Sequence, residues 1–281
     1  MKRGGPPGGA SAVERAEWFA GIRVSPLRRE QLLADLAASL RAGERRRVTF
    51  LNPDYARRAL LSTRLRADIN AFDLVLVDGN GVRLLSRLFG FTVPERLDAD
   101  SVVPLVLRDL ARRRGRVLLF GGAPGIAAEA ARRLRRRFPG LEVVGAVHGH
   151  HDVERGHPGV YAAEDSAAIV ALVGGSRPDL LVVGLPTPLQ QRWTVEHEAL
   201  LEVPVIMTVG SYLDHVAEAR SPDGSWYPRW ADRLRLNWLY RLARDPRRLW
   251  RRYTLELAEF VVRVLWSRLA LAARSRSRSP R

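Results

Sequence analysis

The sequence predicts an α/β protein: a Rossmann-like, mostly parallel sheet covered by helices on both faces, followed by a C-terminal helical basic appendage. Two observations carry that prediction. From Phe19 onward, short β-branched or leucine-rich runs alternate with longer stretches whose apolar residues recur at helical spacing, the pattern of a parallel sheet joined by helical crossovers. After Asp214 the alternation stops, and Pro222, Gly224 and Pro228 introduce an arginine- and tryptophan-rich segment.

The expected strands are Val48 to Leu51, Leu74 to Val77, Val117 to Phe120, Glu142 to Val147, Leu180 to Val183 and Val205 to Val209. Each is short and continuously apolar, as strands buried on both faces are. Between them, Tyr55 to Leu65, Val102 to Arg112, Ile126 to Phe138, Ala162 to Val173 and Leu189 to Leu200 carry apolar residues at helical spacing, with charged residues, in most of them arginine, on the other face. A leading helix, Pro26 to Arg41, is expected to start from Ser25 as N-cap. The chain accordingly divides into a disordered Gly/Pro-rich leader (1–17), a Rossmann-like domain (18–219), an arginine/tryptophan-rich appendage (220–254) and an amphipathic helix with a disordered basic tail (255–281).

Composition narrows the function. A chain of 281 residues that is 46% hydrophobic can bury a large core. With no cysteine it has no disulfide and no thiolate metal site. No run of about eighteen uncharged apolar residues marks a spanning helix, and the leader lacks the apolar stretch of a signal peptide. The formal net charge is +16, and Ser221 to Arg281 hold fifteen of the 46 basic residues, five acids and five of the seven tryptophans. Aromatic anchors interleaved with arginine suit a phosphate-bearing surface, either lipid headgroups or nucleic acid.

The polar and glycine-rich residues follow the strands directly: Asn52-Pro53, Asp78-Gly79-Asn80-Gly81, Gly121 to Gly125, His148-Gly149-His150, Gly184 to Gln191 and Gly210-Ser211. In open α/β sheets ligands bind outside the carboxyl ends of the strands, so six motifs converge on one crevice. Asp78, in a turn loosened by two glycines, is placed to remove a proton from an acceptor hydroxyl; a turn aspartate capping the next helix is the plainer alternative. Asn52 before Pro53 fits a helix N-cap and a substrate contact equally. The Gly121 to Gly125 loop joins a strand to a helix and offers N–H groups to a diphosphate. It lacks the dinucleotide glycine spacing and a Walker lysine, and a tight βα turn explains it as well. His148, His150, His151, Asp152 and His157 read as a polar loop at the crevice mouth rather than a metal cluster. Gln190 and Gln191 offer amides to a sugar or carbonyl, and Trp193 belongs to the core.

Taken together, Phe50-Leu51-Asn52-Pro53, Val77-Asp78-Gly79-Asn80-Gly81-Val82, Glu95-Arg96-Leu97, Phe120-Gly121-Gly122 and Val183-Gly184-Leu185-Pro186-Thr187-Pro188-Leu189-Gln190 form an ordered set. Asn237 to Leu242, Pro246-Arg247-Arg248 and Arg252-Tyr253 complete it. This set resembles the WecG/TagA/CpsF family of bacterial glycosyltransferases, which includes N-acetylmannosaminyltransferases, from about Phe19 to Tyr253. The resemblance implies a metal-independent enzyme without a cofactor that moves a sugar from a UDP-sugar to a polyprenyl-diphosphate-linked acceptor. It would work in cell-surface polysaccharide synthesis, peripheral on the cytoplasmic face of the membrane. It makes Asp78 the catalytic base, and Asn52 and Gln190 the sugar contacts. Arg96, Gly121, Gly122 and Gly184 join the substrate-binding set, with Arg220 and Arg241 of the appendage closing over the diphosphate. The chain also departs from the family pattern. Thr49 stands one residue early for T-x-N, P-K-Q-E reads Pro188-Leu189-Gln190-Gln191, Gly-x-Asp reads Ala99-Asp100-Ser101, and R-A-P reads Arg220-Ser221-Pro222.

Beyond Tyr253, Glu256, Glu259, Arg263 and Ser267 share one helical face, and Leu257, Phe260, Val261, Val264, Leu265 and Leu269 lie away from it. Such an amphipathic helix can lie in a bilayer interface or pack on the core or on a second subunit of a homo-oligomer. A basic nucleic-acid-binding protein is the alternative from another class, without a recognition motif to support it. A nicotinamide-dependent dehydrogenase lacks its glycine fingerprint.

Overall fold

The computed structural model describes residues 16–149, 163–219, 237–244 and 246–277. A two-stranded hairpin, β1 (Glu17–Phe19) and β2 (Ile22–Val24), turns through Ala20 and Gly21, both at positive φ. Its strands are three residues each, too short for alternation to announce them. Phe19, Ile22 and Val24 are fully buried. Helix α1 (Arg29–Ala42) follows. Ser25 is not its N-cap. The Ser25 N–H donates to the Val75 carbonyl at 2.8 Å and its Oγ accepts from the Val75 N–H at 3.2 Å, so this segment still pairs with the sheet and the helix starts three residues later.

Six strands make the central sheet: β3 (Arg46–Leu51), β4 (Leu74–Val77), β5 (Arg116–Gly121), β6 (Glu142–Val147), β7 (Leu180–Gly184) and β8 (Val205–Thr208). Their order is β4-β3-β8-β7-β5-β6, and every neighbouring pair is parallel. All six therefore end at the same edge. The expected apolar runs are these strands, within two residues at either end, but β6 is not buried on both faces: it stands at the edge of the sheet, and only its Val143 is buried.

Helices α1, α5 (Ala99–Arg112), α6 (Ile126–Arg137) and α9 (Tyr212–Glu218) cover one face, over Val48, Phe50, Leu76, Leu119, Val182 and Met207. The other face carries α2 (Pro53–Leu61), α3 (Thr63–Asn70), α7 (Ala163–Ser176) and α8 (Leu189–Glu196). The single helix expected from Tyr55 to Leu65 is two, because Ser62 leaves helical geometry and its Oγ caps α3 by accepting from the Leu65 N–H at 3.2 Å. A short helix, α4 (Asn80–Leu85), and a 3₁₀ turn (Ser86–Phe89) lead toward α5. Asp98 caps α5, accepting from the Ser101 N–H at 2.9 Å.

After a stretch outside the described residues come α10 (Asn237–Arg244), α11 (Pro246–Tyr253) and α12 (Leu255–Ser277). Helix α12 packs on α2. Phe260 and Val264 are fully buried in the cluster that holds Phe19, Tyr55 and Val77, and Arg57 of α2 pairs with Glu256 and Glu259 at 3.4 and 3.0 Å. The helix is thus divided differently from the expected polar and apolar halves. The edge bearing Glu256 and Glu259 turns toward the domain because a half-buried arginine waits there, while Leu255, Val262, Leu265, Trp266 and Leu269 face outward.

Two substitutions on α12 separate its faces. Phe260→Ala should cost about 3–5 kcal/mol, read as a lower urea midpoint, whereas Trp266→Ala, at a side chain 73% exposed, should stay within about 0.5 kcal/mol of the parent. A third tests the α5 cap. Burial raises the Asp98 pKa above its ordinary value against the opposing pull of Arg96, 2.8 Å away, and with a further push from Asp100. A carboxyl with a raised folded-state pKa binds its proton more tightly when folded, so stability falls as pH rises from the unfolded value to the folded one. Asp98→Asn keeps an equivalent cap and has no proton to lose. Its urea midpoint relative to the parent should therefore rise as the pH climbs above about 4.

Candidate active site

Strands β3 and β8 are neighbours, yet the chain leaves β3 for α2 on one face and β8 for α9 on the other. Such a divergence opens a crevice at the carboxyl edge of a parallel sheet. Five of the singled-out residues stand around it: Asn52 after β3, Asp78 after β4, Gln190 on α8, and Gly210 and Ser211 after β8.

Asn52 resolves toward the capping reading. Its Oδ1 accepts from the Tyr55 N–H at 2.9 Å, with Pro53 in the first helical turn, which fixes the amide at the floor of the crevice. Asp78 is half-buried, and its N–H donates to the Leu51 carbonyl at 2.9 Å, so the ladder of β3 and β4 continues into the turn. Gly79 has φ 106°, and a Cβ there would lie 3.1 Å from the Pro53 ring. A Cβ on Gly81 would lie 3.0 Å from the same ring and 3.7 Å from Phe260. Glycine is therefore required for the Asp78 turn to fold down onto Pro53. Leu97 N–H donates to the Val77 carbonyl at 3.0 Å, bringing Arg96 to the same edge, where it pairs with Asp98.

Gln190 is 4% exposed, and its Oε1 accepts from the Gly210 N–H at 2.9 Å. With its carbonyl oxygen engaged, the amide nitrogen is the end it can offer a ligand. Gln191 plays a different part. It is fully buried and its Nε2 donates to Thr49 Oγ1 at 3.2 Å, while Thr208 Oγ1 lies 2.8 Å from the same oxygen. Thr49 and Thr208 are register partners on β3 and β8. This seam lies within β3 and β8, below their carboxyl ends, between the two apolar clusters of that face. Thr49 is thus wholly enclosed, and Phe50 beside it points into the opposite core. Trp193 is core, against Phe120 at 4.9 Å between ring centres.

The glycines after β5 and β7 serve close backbone approach. A Cβ on Gly121 would stand 2.1 Å from the Gly184 carbonyl oxygen, and Gly122 N–H donates to that oxygen at 3.1 Å. Gly122 carbonyl in turn accepts from Gly149 N–H at 2.7 Å. These bonds commit the Gly122 amide to the sheet edge, as a tight βα turn requires. Anion binding by this loop would fall to Ala123, Gly125 and the first turn of α6, where a helix leaves N–H groups without intrahelical partners.

Arg220 lies outside the described residues, as do His150, His151, Asp152 and His157; Arg241 falls in α10 with its side chain outside them. Among the described residues no group of three or more His, Cys, Asp or Glu is arranged to hold a metal ion. The sequence reading missed His215. Its Nδ1 lies 3.0 Å from both carboxylate oxygens of Asp100, and its Nε2 lies 3.2 Å from Ser211 Oγ. Only the i, i+4 spacing of Ser211 and His215 hints at this in the sequence, and nothing there places Asp100, more than a hundred residues away, beside them.

Comparison with known proteins agrees with the geometry. Three N-acetylglucosaminyldiphosphoundecaprenol N-acetyl-beta-D-mannosaminyltransferases are similar to this chain. The protein from Bacillus spizizenii is 28% identical over 218 residues, 78% of each chain. That from Bacillus subtilis is 22% identical over the same length and coverage, and that from Staphylococcus aureus (strain MW2) is 24% identical over 204 residues, 73% of this chain and 74% of its own. The profile of the glycosyl transferase WecG/TagA/CpsF family matches residues 17–274. From the hairpin to the last described helix, the chain belongs to the WecG/TagA/CpsF family of glycosyltransferases.

Proposed function

We propose that this enzyme transfers an N-acetylmannosamine-like hexose from a UDP-sugar to a polyprenyl-diphosphate-linked acceptor, with Asp78 as general base. The observation that carries the reading is the position of Asp78. A half-buried carboxylate stands at the carboxyl end of β4, beside the β3/β8 divergence, on a turn that two glycines and Pro53 hold in place. The relatives' names, which specify a diphosphoundecaprenol-linked acceptor and an N-acetylmannosaminyl group, support the substrate class.

In a direct displacement, Asp78 takes the proton of the acceptor hydroxyl as its oxygen attacks the anomeric carbon and the bond to UDP breaks. Gln190 and Asn52, fixed through the Gly210 N–H and the α2 cap, orient the sugar so that attack and departure lie in line. Charge developing on the leaving diphosphate is met by arginine, whose planar fork matches phosphate oxygens. Arg96 stands at the same edge, and Arg220 and Arg241 are the appendage's candidates. No metal or cofactor takes part in this scheme.

The acceptor's lipid would bring the enzyme to a membrane surface. No helix among the described residues is long and apolar enough to cross a membrane. The outward face of α12, with Leu265, Trp266 and Leu269 exposed and the arginine-rich end of the sequence beyond it, suits the headgroup region of an anionic leaflet on the cytoplasmic side. The α12 side that meets α2 makes packing and membrane contact compatible, because they use different faces.

Asp78→Asn should lower kcat by about 10²–10⁴-fold, measured with a UDP-N-acetylhexosamine and an N-acetylglucosamine-diphosphate-lipid acceptor, with UDP affinity little changed. Turnover near that of the parent would remove the base. For the membrane, Leu265→Glu combined with Trp266→Glu should weaken co-sedimentation with phosphatidylglycerol vesicles about tenfold or more and leave the urea midpoint alone. Equal sedimentation of parent and variant would remove α12 as the anchor.

A further inference from the structure

Three side chains from two distant segments form a hydrogen-bonded chain at the crevice edge. Asp100, in the first turn of α5, holds His215 Nδ1 with both carboxylate oxygens at 3.0 Å, and His215 Nε2 meets Ser211 Oγ at 3.2 Å. His215, in the middle, is 8% exposed, Asp100 is half-buried and Ser211 is exposed. Ser211 follows Gly210, whose N–H is held by Gln190 Oε1, so it is one residue along the chain from the backbone amide that ties down the residue the proposed function places on the sugar.

The chemistry of the chain gives that hydroxyl a direction. With Nδ1–H donated to the carboxylate, the neutral ring keeps its lone pair on Nε2. The Ser211 hydroxyl donates its proton there, and its own lone pairs remain to accept a bond from outside. The carboxylate strengthens that acceptor through the ring, since successive hydrogen bonds polarise one another. A tie between α5 and α9 needs only the Asp100–His215 bond. The third member adds nothing to helix packing, because it lies at the exposed end.

We propose that Ser211, aimed by His215 and Asp100, is a specificity contact for the donor sugar, accepting a hydrogen bond from one of its hydroxyl or acylamido N–H groups. Asp100 and His215 are positioning residues that act through Ser211. The inference rests on the reading of this crevice as the UDP-sugar site and adds to it the residue that discriminates between sugars.

The test compares the parent with Ser211→Ala, Ser211→Thr, His215→Gln and the Ser211→Ala/His215→Gln double variant. The readouts are binding of UDP and of UDP-sugars by calorimetry, and transfer kinetics on an N-acetylglucosamine-diphosphate-lipid acceptor. Ser211→Ala should weaken UDP-sugar binding or kcat/KM for the donor by about tenfold while leaving UDP affinity, acceptor KM and the urea midpoint unchanged. Ser211→Thr should restore the parent values. His215→Gln should give the same kind of loss, and the double variant should be no worse than the more impaired single one, since the residues act in series. Comparing UDP-N-acetylhexosamines with UDP-hexoses identifies the group bound. A loss confined to the former assigns the acylamido N–H, and an equal loss in both assigns a hydroxyl.

Parent kinetics for Ser211→Ala with every donor would overturn the inference alone, as would a change confined to acceptor KM. Covalent labelling of Ser211 by a fluorophosphonate would overturn it in favour of a nucleophile. A parent chain that binds neither UDP nor a UDP-sugar would overturn the inference together with the function beneath it, a result distinct from the others.

Discussion

Parallel pairing in the central sheet is the constraint from which the rest of the molecule follows. Parallel neighbours cannot be joined by a tight hairpin, so each return is a crossover through a helix, and every strand delivers its following residues to one edge. In this chain that edge receives Asn52, Asp78, Gly121, Gly184 and Gly210 from five different strands. Their assembly is a consequence of strand direction before any side chain contributes. The strand order then decides which of them share a crevice. The β3/β8 divergence gathers Asn52, Asp78, Gln190 and Ser211, while the glycines around β5 and β7 are drawn into contact between backbones.

Below the crevice, the seam of Thr49, Thr208 and Gln191 shows how polar groups can be enclosed in an otherwise apolar layer. Burying a hydroxyl or amide costs free energy unless it is hydrogen-bonded, and here the two hydroxyls and the Gln191 amide nitrogen bond to one another across adjacent strands and the helix above, while Gln191 Oε1 has no partner among the described residues. The adjacent glutamines of α8 consequently divide their roles. Gln191 reaches down to the seam, and Gln190 reaches sideways to the backbone of Gly210. A helix that is tied at two successive positions presents its N-terminal turn to the crevice with little freedom, which suits a residue asked to orient a sugar.

Helix α12 links the appendage to the turn that carries Asp78. Phe260 fills the space behind Gly81 and joins the core cluster that contains Val77, the residue immediately before Asp78. The outward apolar stripe on the same helix is where a lipid surface would be met. A single element thereby contacts the turn that carries the proposed base and supplies the face proposed for the membrane, and the ion pairs of Arg57 with Glu256 and Glu259 hold its orientation.

Much of this was legible in the sequence. Apolar runs marked the interior strands because burial on both faces removes the polar alternation, and the motifs after them lie along the carboxyl edge of the sheet. Ordered motifs carried the family resemblance. The boundaries that moved did so where a tertiary bond competed with a local preference: Ser25 pairs with Val75 instead of capping α1, and the β1–β2 hairpin is too short to show a period. What the sequence by itself determined was the set of chemical groups and the direction in which the chain presents them, since both depend on neighbours along the chain. Only the tertiary structure decided that Thr49 is enclosed, that Gln190 and Gln191 part ways, that α12 turns its glutamates inward, and that Asp100 meets His215. Those outcomes depend on strand order and on cations or hydroxyls contributed from elsewhere in the chain, and local periodicity carries no record of either.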